Sequence, residues 1–173
     1  MKLQHDSHSK KLTSILFVIY LIVLTWIIVF KMSLDIHLFQ NMNYRSINLI
    51  PYAGSLIVNG KVELSEIILN IVVFIPAGVY MGMLFREKGF LRKIIPIFIV
   101  SLLYEVLQYI FAIGASDITD LIGNTLGGAI GIVLYYILQR LLGERTIKLL
   151  NILAVIGTVL VIGLLGLLII ANI

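Results

Sequence analysis

No cysteine occurs in this chain, which excludes disulfides, thiolate metal centres and a cysteine nucleophile. Charge is scarce as well. Asp, Glu, Lys and Arg together make 13% of the residues, where soluble domains run near ~25%. No Ser-His pair, HExxH helix or Walker loop is present, so the familiar hydrolase, zinc-protease and nucleotide signatures are missing. The histidines lie outside the apolar runs and show no strong ligand spacing. No metal or other cofactor is therefore expected, and no nucleic acid either. The net charge of +4 is read by position, because basic residues in a membrane protein set orientation first.

What the chain has in abundance is hydrophobic sequence, 60% of the residues with a mean hydropathy of +1.08. It comes in long runs. Five of them, 12–30, 64–85, 91–113, 118–142 and 147–171, reach the ~20 apolar residues that carry a helix across a bilayer. The runs are continuous and not alternating, which argues against barrel strands. The first exceeds the ~7–15 residues of a signal core and no Ala-x-Ala-like site follows, so it reads as a retained helix. The expected fold is all-α: a polytopic transmembrane helix bundle of about five spans, one bundle and not two domains.

Lys and Arg are unevenly divided between the two ends of such a bundle. Ten fall on one side: Lys2, Lys10, Lys11, Arg86, Lys88, Arg92, Lys93, Arg140, Arg145 and Lys148. Three fall on the other: Lys31, Arg45 and Lys61. This asymmetry predicts a cytoplasmic N-terminus and an external C-terminus. The cluster "REKGFLRK" reads as a topology anchor, with an anionic-lipid site as the alternative.

The few polar residues inside the runs gather at one depth. Glu66 and Asn70 are four apart on the second run, so they share a helix face. Glu105 and Gln108 share a face on the third, with Ser101 a turn deeper. Asp117, Asp120 and Asn124 form a stripe on the fourth. At ~1.5 Å per residue, Asn70 and Glu105 lie ~9 Å and ~12 Å below the outer end. An ionisable group at such depth costs about 2.5–3.5 kcal/mol or more, so it turns to a bundle interior or cavity. Asp117 also suits a helix N-cap, with Asp120 in the first turn, both complementing the helix dipole. Asn70, Gln108 and Asn124 suit plain interhelical hydrogen bonds. Arg45, in the apolar outer segment "NYRSINLIPYAG", is a candidate cation for Glu105. That segment is too apolar for a solvated loop and reads as folding back on the bundle, with Pro51 interrupting any helix. Gly123, Gly127 and Gly131, spaced by four with Gly128 beside them, form a small-residue face for close helix approach. Pro76 is expected to kink the second span.

Four ordered motifs, "RSINLIPY", "EIILNIVVFIPAGVYMG", "SLLYEVLQYI" and "SDITDLIGNTLGG", together resemble the VanZ family. These are bacterial membrane proteins named for one that gives low-level resistance to the glycopeptide teicoplanin. The resemblance covers 12–142, leaving 147–171 as an additional C-terminal transmembrane helix. The family's characteristic positions carry over to Arg45, Asn48, Pro51, Asn70, Phe74, Pro76, Gly78, Glu105, Gln108, Asp117, Asp120, Asn124 and Gly127. Many members carry an arginine just before the first aspartate. This chain has Ala115 and Ser116 there, which leaves Arg45 as the cation for the outer cluster.

The resemblance implies a multi-pass protein of the bacterial cytoplasmic membrane with a cell-envelope role and an effect on glycopeptide susceptibility. It does not imply a reaction. Three readings follow. The first is binding of a polar lipid or surface ligand at the outer leaflet by Arg45, Asn48, Asn70, Glu105, Gln108, Asp117, Asp120 and Asn124. Its partners would be membrane lipids, and a lipid-linked cell-wall precursor or the glycopeptide itself. The second is an intramembrane enzyme on a lipid-linked substrate, with Glu105 and Asp120 as acid and base. The third is a small lipid or solute transporter.

Overall fold

The computed structural model describes residues 2–29, 44–51, 57–58, 61–62 and 65–171. Five helices carry the fold: α1 Lys2–Val29, α2 Ser65–Leu84, α3 Phe90–Phe111, α4 Ile118–Leu142 and α5 Arg145–Ala171. All five are long and apolar enough to cross a membrane. Their outward faces agree, since α3 exposes Leu102, Leu103, Val106 and Ile110. A protein in water would hide such a row, whereas lipid tails are as apolar as the side chains themselves. The chain is a helical, multi-pass membrane protein.

Helices α2 and α4 form the most extensive contact in the bundle, and glycines explain why. A Cβ at Gly127 would meet the carbonyl of Ile71, and one at Gly131 the carbonyl of Ile75. From the other side, a Cβ at Gly78 would meet the carbonyl of Gly128. The two backbones touch through residues that lack a side chain, on both helices at once. Gly128 turns elsewhere, giving room to Ile97 of α3, and Gly82 gives room to the Tyr135 ring. Gly123 is the exception: its nearest neighbour stands at 3.6 Å, an ordinary contact.

Helix α1 packs on this core through Leu24 and Val29, beside Phe74, Ala77 and Met81 of α2. Pro76 lies inside α2 and supplies no N–H to the turn before it, which loosens the carbonyls there. The Tyr20 hydroxyl of α1 donates to the Val73 carbonyl at 2.6 Å in that turn. Helix α5 docks by its first turns only. Thr146, Ile147, Leu150 and Asn151 are buried, and most residues beyond are exposed. A polar clasp fixes it there, with the Thr13 hydroxyl donating to Asn151 Oδ1 at 2.9 Å.

Two short strand pairs interrupt the helical plan. Strand β1, Tyr44–Asn48, runs parallel to β4, Ile113–Asp117, with Arg45 opposite Gly114 and Asn48 opposite Asp117. Strands β2, Ile57–Val58, and β3, Lys61–Val62, form an antiparallel pair. The outer segment thus folds back on the bundle as expected, but as a strand. The connection between α3 and α4 is a strand too. Away from water each backbone group needs a partner, and β1 supplies partners to β4. Helix α3 turns into β4 through Ala112, a non-glycine residue at φ 55°, a conformation that L side chains seldom adopt.

In the basic cluster at the other end one residue stands apart. Lys93 is fully buried. Its Nζ donates to the Tyr136 hydroxyl at 2.7 Å and stands 4.4 Å from the centre of that ring. Hydrogen bond and cation–π attraction together offset the desolvation of its ammonium.

Candidate functional site

The strand pair sets the mouth of the site, because β4 delivers Ser116 and Asp117 beside Glu105 of α3. The Asp117 backbone N–H donates to Glu105 Oε2 at 2.8 Å. The Ser116 hydroxyl lies 3.3 Å from the same oxygen and 3.2 Å from the Glu105 carbonyl. Asp117 is also the N-cap of α4: its Oδ1 accepts from the Thr119 N–H at 2.7 Å. Its other oxygen accepts from Asn48 Nδ2 at 3.0 Å, which ties β1 to the head of α4. One carboxylate therefore starts a helix and holds a strand, while its own amide fixes a second carboxylate.

A turn further along α4, Asp120 accepts from Asn70 Nδ2 of α2 at 2.7 Å. Deeper still, Asn124 Nδ2 donates to the Ser101 hydroxyl of α3 at 2.9 Å, both residues fully buried. Gln108 Nε2 donates to the Ile28 carbonyl of α1 at 2.9 Å. Each of the four amides spends a donor on a different element of the fold. The interhelical bonds expected of Asn70, Gln108 and Asn124 are thus present, and Asn48 adds one from a strand.

The acceptor side is different. Glu105 Oε1, Gln108 Oε1 and Asn124 Oδ1 are buried and have no hydrogen-bond partner among the described residues. The three residues are 4%, 5% and 0% exposed. A buried acceptor left without a donor costs about 1–3 kcal/mol, so three of them are costly unless something serves them. Glu105 also lies within electrostatic range of Asp117 and Asp120. The cluster is rich in acceptors and negative in character. Among the described residues no three His, Asp or Glu side chains converge as a metal centre requires.

Of the eight residues expected at the site, seven have side chains among the described residues, Asn48, Asn70, Glu105, Gln108, Asp117, Asp120 and Asn124, each holding the hydrogen bonds given above. Arg45 has its backbone in β1 opposite Gly114, and its side chain lies outside the described residues. Whether it reaches Glu105 therefore lies outside them too. Glu66, on the same run as Asn70, is exposed where Asn70 is buried. Ser116 belongs to the site and was not singled out by its sequence. The one available signal was its place directly before Asp117.

With this geometry in view, two comparisons bear on kinship. A family model described as VanZ/LLP1 matches residues 17–139. Protein VanZ of Enterococcus faecium is 38% identical over 130 residues, which is 75% of this chain and 77% of that protein. No solved structure matches. The match ends before α5.

Proposed function

Since the chain belongs to the VanZ/LLP1 family, we propose that it acts in the bacterial cytoplasmic membrane to lower susceptibility to teicoplanin-type glycopeptides, by binding a polar ligand at the outer leaflet. The observation that carries this reading is the trio of buried, unserved acceptors on Glu105, Gln108 and Asn124. Each amide already gives one N–H to the fold, whereas these oxygens are wholly unserved among the described residues, so what the site chiefly offers a ligand is oxygen. A bare phosphate would find few donors among the described residues. An amino- or hydroxyl-bearing head group brings the donors that these oxygens lack. A lipid-linked cell-wall precursor and a glycopeptide antibiotic both have such groups. Helix α5, beyond the family match, serves as an accessory anchor.

The test is expression in a teicoplanin-susceptible host. Wild type is expected to raise the inhibitory concentration of teicoplanin and not that of an unrelated antibiotic. Glu105→Gln is expected to abolish the effect at unchanged protein level. Resistance that persists in Glu105→Gln removes this site from the function.

The reading requires the site to face outward. With ten basic residues on one side against three on the other, the β1–β4 end is external. The absence of native cysteine makes labelling clean. Ser7→Cys should resist an impermeant thiol reagent in intact cells and react after permeabilisation, while Asn172→Cys should react in both. Equal labelling of the two in intact cells contradicts five spans.

A further inference from the structure

At the basic end of the bundle, opposite the polar site, a cavity of about 460 Å³ opens between α1, the α2–α3 turn and the start of α5. Lys10, Arg86 and Lys88 stand on its wall with one acid, Glu87, and Met83, Leu84 and Ile147 make its apolar side. A second cavity, of about 420 Å³, lies along the same three helices and shares Met83 with the first. It is lined by aliphatic and aromatic side chains such as Val23, Val73, Val79 and Leu153. Its α5 wall runs from Leu150 to Val161, about 16 Å of helix at ~1.5 Å per residue. The groove exists because α5 touches the bundle by its first turns only.

The two cavities follow one another along the same helices with Met83 in both walls: a mouth of net positive charge where the spans end, and an apolar groove beyond it. We propose that this seam holds one anionic phospholipid, its phosphate among Lys10, Arg86 and Lys88 and an acyl chain along the α1–α2–α5 groove. Charge chooses the ligand: basic pockets between helix ends attract anionic head groups, each Lys or Arg contributing about 1 kcal/mol near a charged membrane surface. Orientation alone does not explain the placement. Arg92, Arg140 and Arg145 carry the same charge at the same end, yet none lines either cavity. The site is separate from the acceptor cluster and does not depend on what that cluster binds.

Native mass spectrometry of the delipidated protein, given phosphatidylglycerol or phosphatidylcholine with identical chains, tests it. Wild type is expected to retain phosphatidylglycerol about tenfold better or more. The exposed triple change Lys10→Gln, Arg86→Gln, Lys88→Gln should erase that preference, and Arg140→Gln with Arg145→Gln should keep it. Gly157 lines the groove, and nothing lies within 4 Å of a Cβ built there. Gly157→Leu should therefore fill the groove without disturbing the fold and lower retention of both lipids. Equal retention of the two lipids by wild type overturns the proposal, as does a preference that survives the triple change. Unchanged retention in Gly157→Leu overturns the placement of the chain. Displacement of phosphatidylglycerol by millimolar inorganic phosphate makes the mouth a simple anion site and overturns the lipid.

Discussion

Gly127→Ala, Gly131→Ala and Gly78→Ala should each remove most of the folded protein, while Gly123→Ala should be tolerated. The four substitutions add the same single carbon, and what differs is the atom it meets. At the first three positions that atom is a backbone carbonyl of the facing helix. At Gly123 it is the Asn70 Cβ at 3.6 Å. Forcing a methyl into a packed core usually costs about 1–3 kcal/mol, because side chains shift to make room. A backbone carbonyl cannot swing aside, so here α2 and α4 must separate. They form the largest interface of the bundle and carry Asn70, Asp120 and Asn124, so separation also takes the polar site apart. Gly163→Leu is the control. Nothing lies within 4 Å of a Cβ there, and replacing an exposed helical glycine gains helix propensity. Yield and thermal midpoint in detergent read the series. Equal losses at Gly123 and Gly127 would show that the close approach is not where the geometry puts it.

Half of that contact was legible in the sequence. Gly123, Gly127 and Gly131 stand out as a spacing of four, and two of the three are tight contacts. The partner half, Gly78 and Gly82 in "GVYMG", has the same spacing, but a single step of four is a weaker signal of a contact face than the two overlapping steps on α4. The helices themselves were legible because burial in lipid demands long apolar runs, and those runs predict each helix to within a few residues apart from the polar start of α1. The β1–β4 pairing was not. Its strands are 69 residues apart in register, Tyr44 with Ile113, and neither five-residue stretch carries an alternating pattern that would betray a strand. The gathering of polar residues toward one end of the bundle was legible, since helical rise puts Asn70 and Glu105 at similar distances from the ends of their helices. Its connectivity was not, because Asp117 serves Thr119, Asn48 and Glu105 through three different atoms, which spacing alone does not reveal. The burial of Lys93 was not legible for the same reason, since Tyr136, far away in sequence, is what covers it.

The double-mutant cycle on Glu105 and Arg45 is expected to separate architecture from binding. Glu105→Gln is a narrow change in this setting. A glutamine oxygen can still accept from the Asp117 N–H, which now meets Glu105 Oε2 at 2.8 Å, so the turn into α4 stays anchored. What is lost is the charge and the free oxygen Oε1. Were Glu105 paired directly with Arg45 as a structural bond, each single change would leave an uncompensated charge, at a cost of about 3–5 kcal/mol. The double change Glu105→Gln, Arg45→Gln would then recover most of that loss. Were both residues walls of a ligand site, the single variants would fold with near wild-type thermal midpoints, lose the effect on teicoplanin, and gain nothing from being combined. The second pattern is the expected one. Gln108 and Asn124 also hold unserved acceptors, and a Glu105–Arg45 pair alone would have no use for them. Thermal midpoint and teicoplanin susceptibility should therefore part company across the cycle, the first nearly flat and the second lost in all three variants. Strong coupling in stability with susceptibility unchanged would make the acids part of the scaffold and move the search for the ligand away from this end of the bundle.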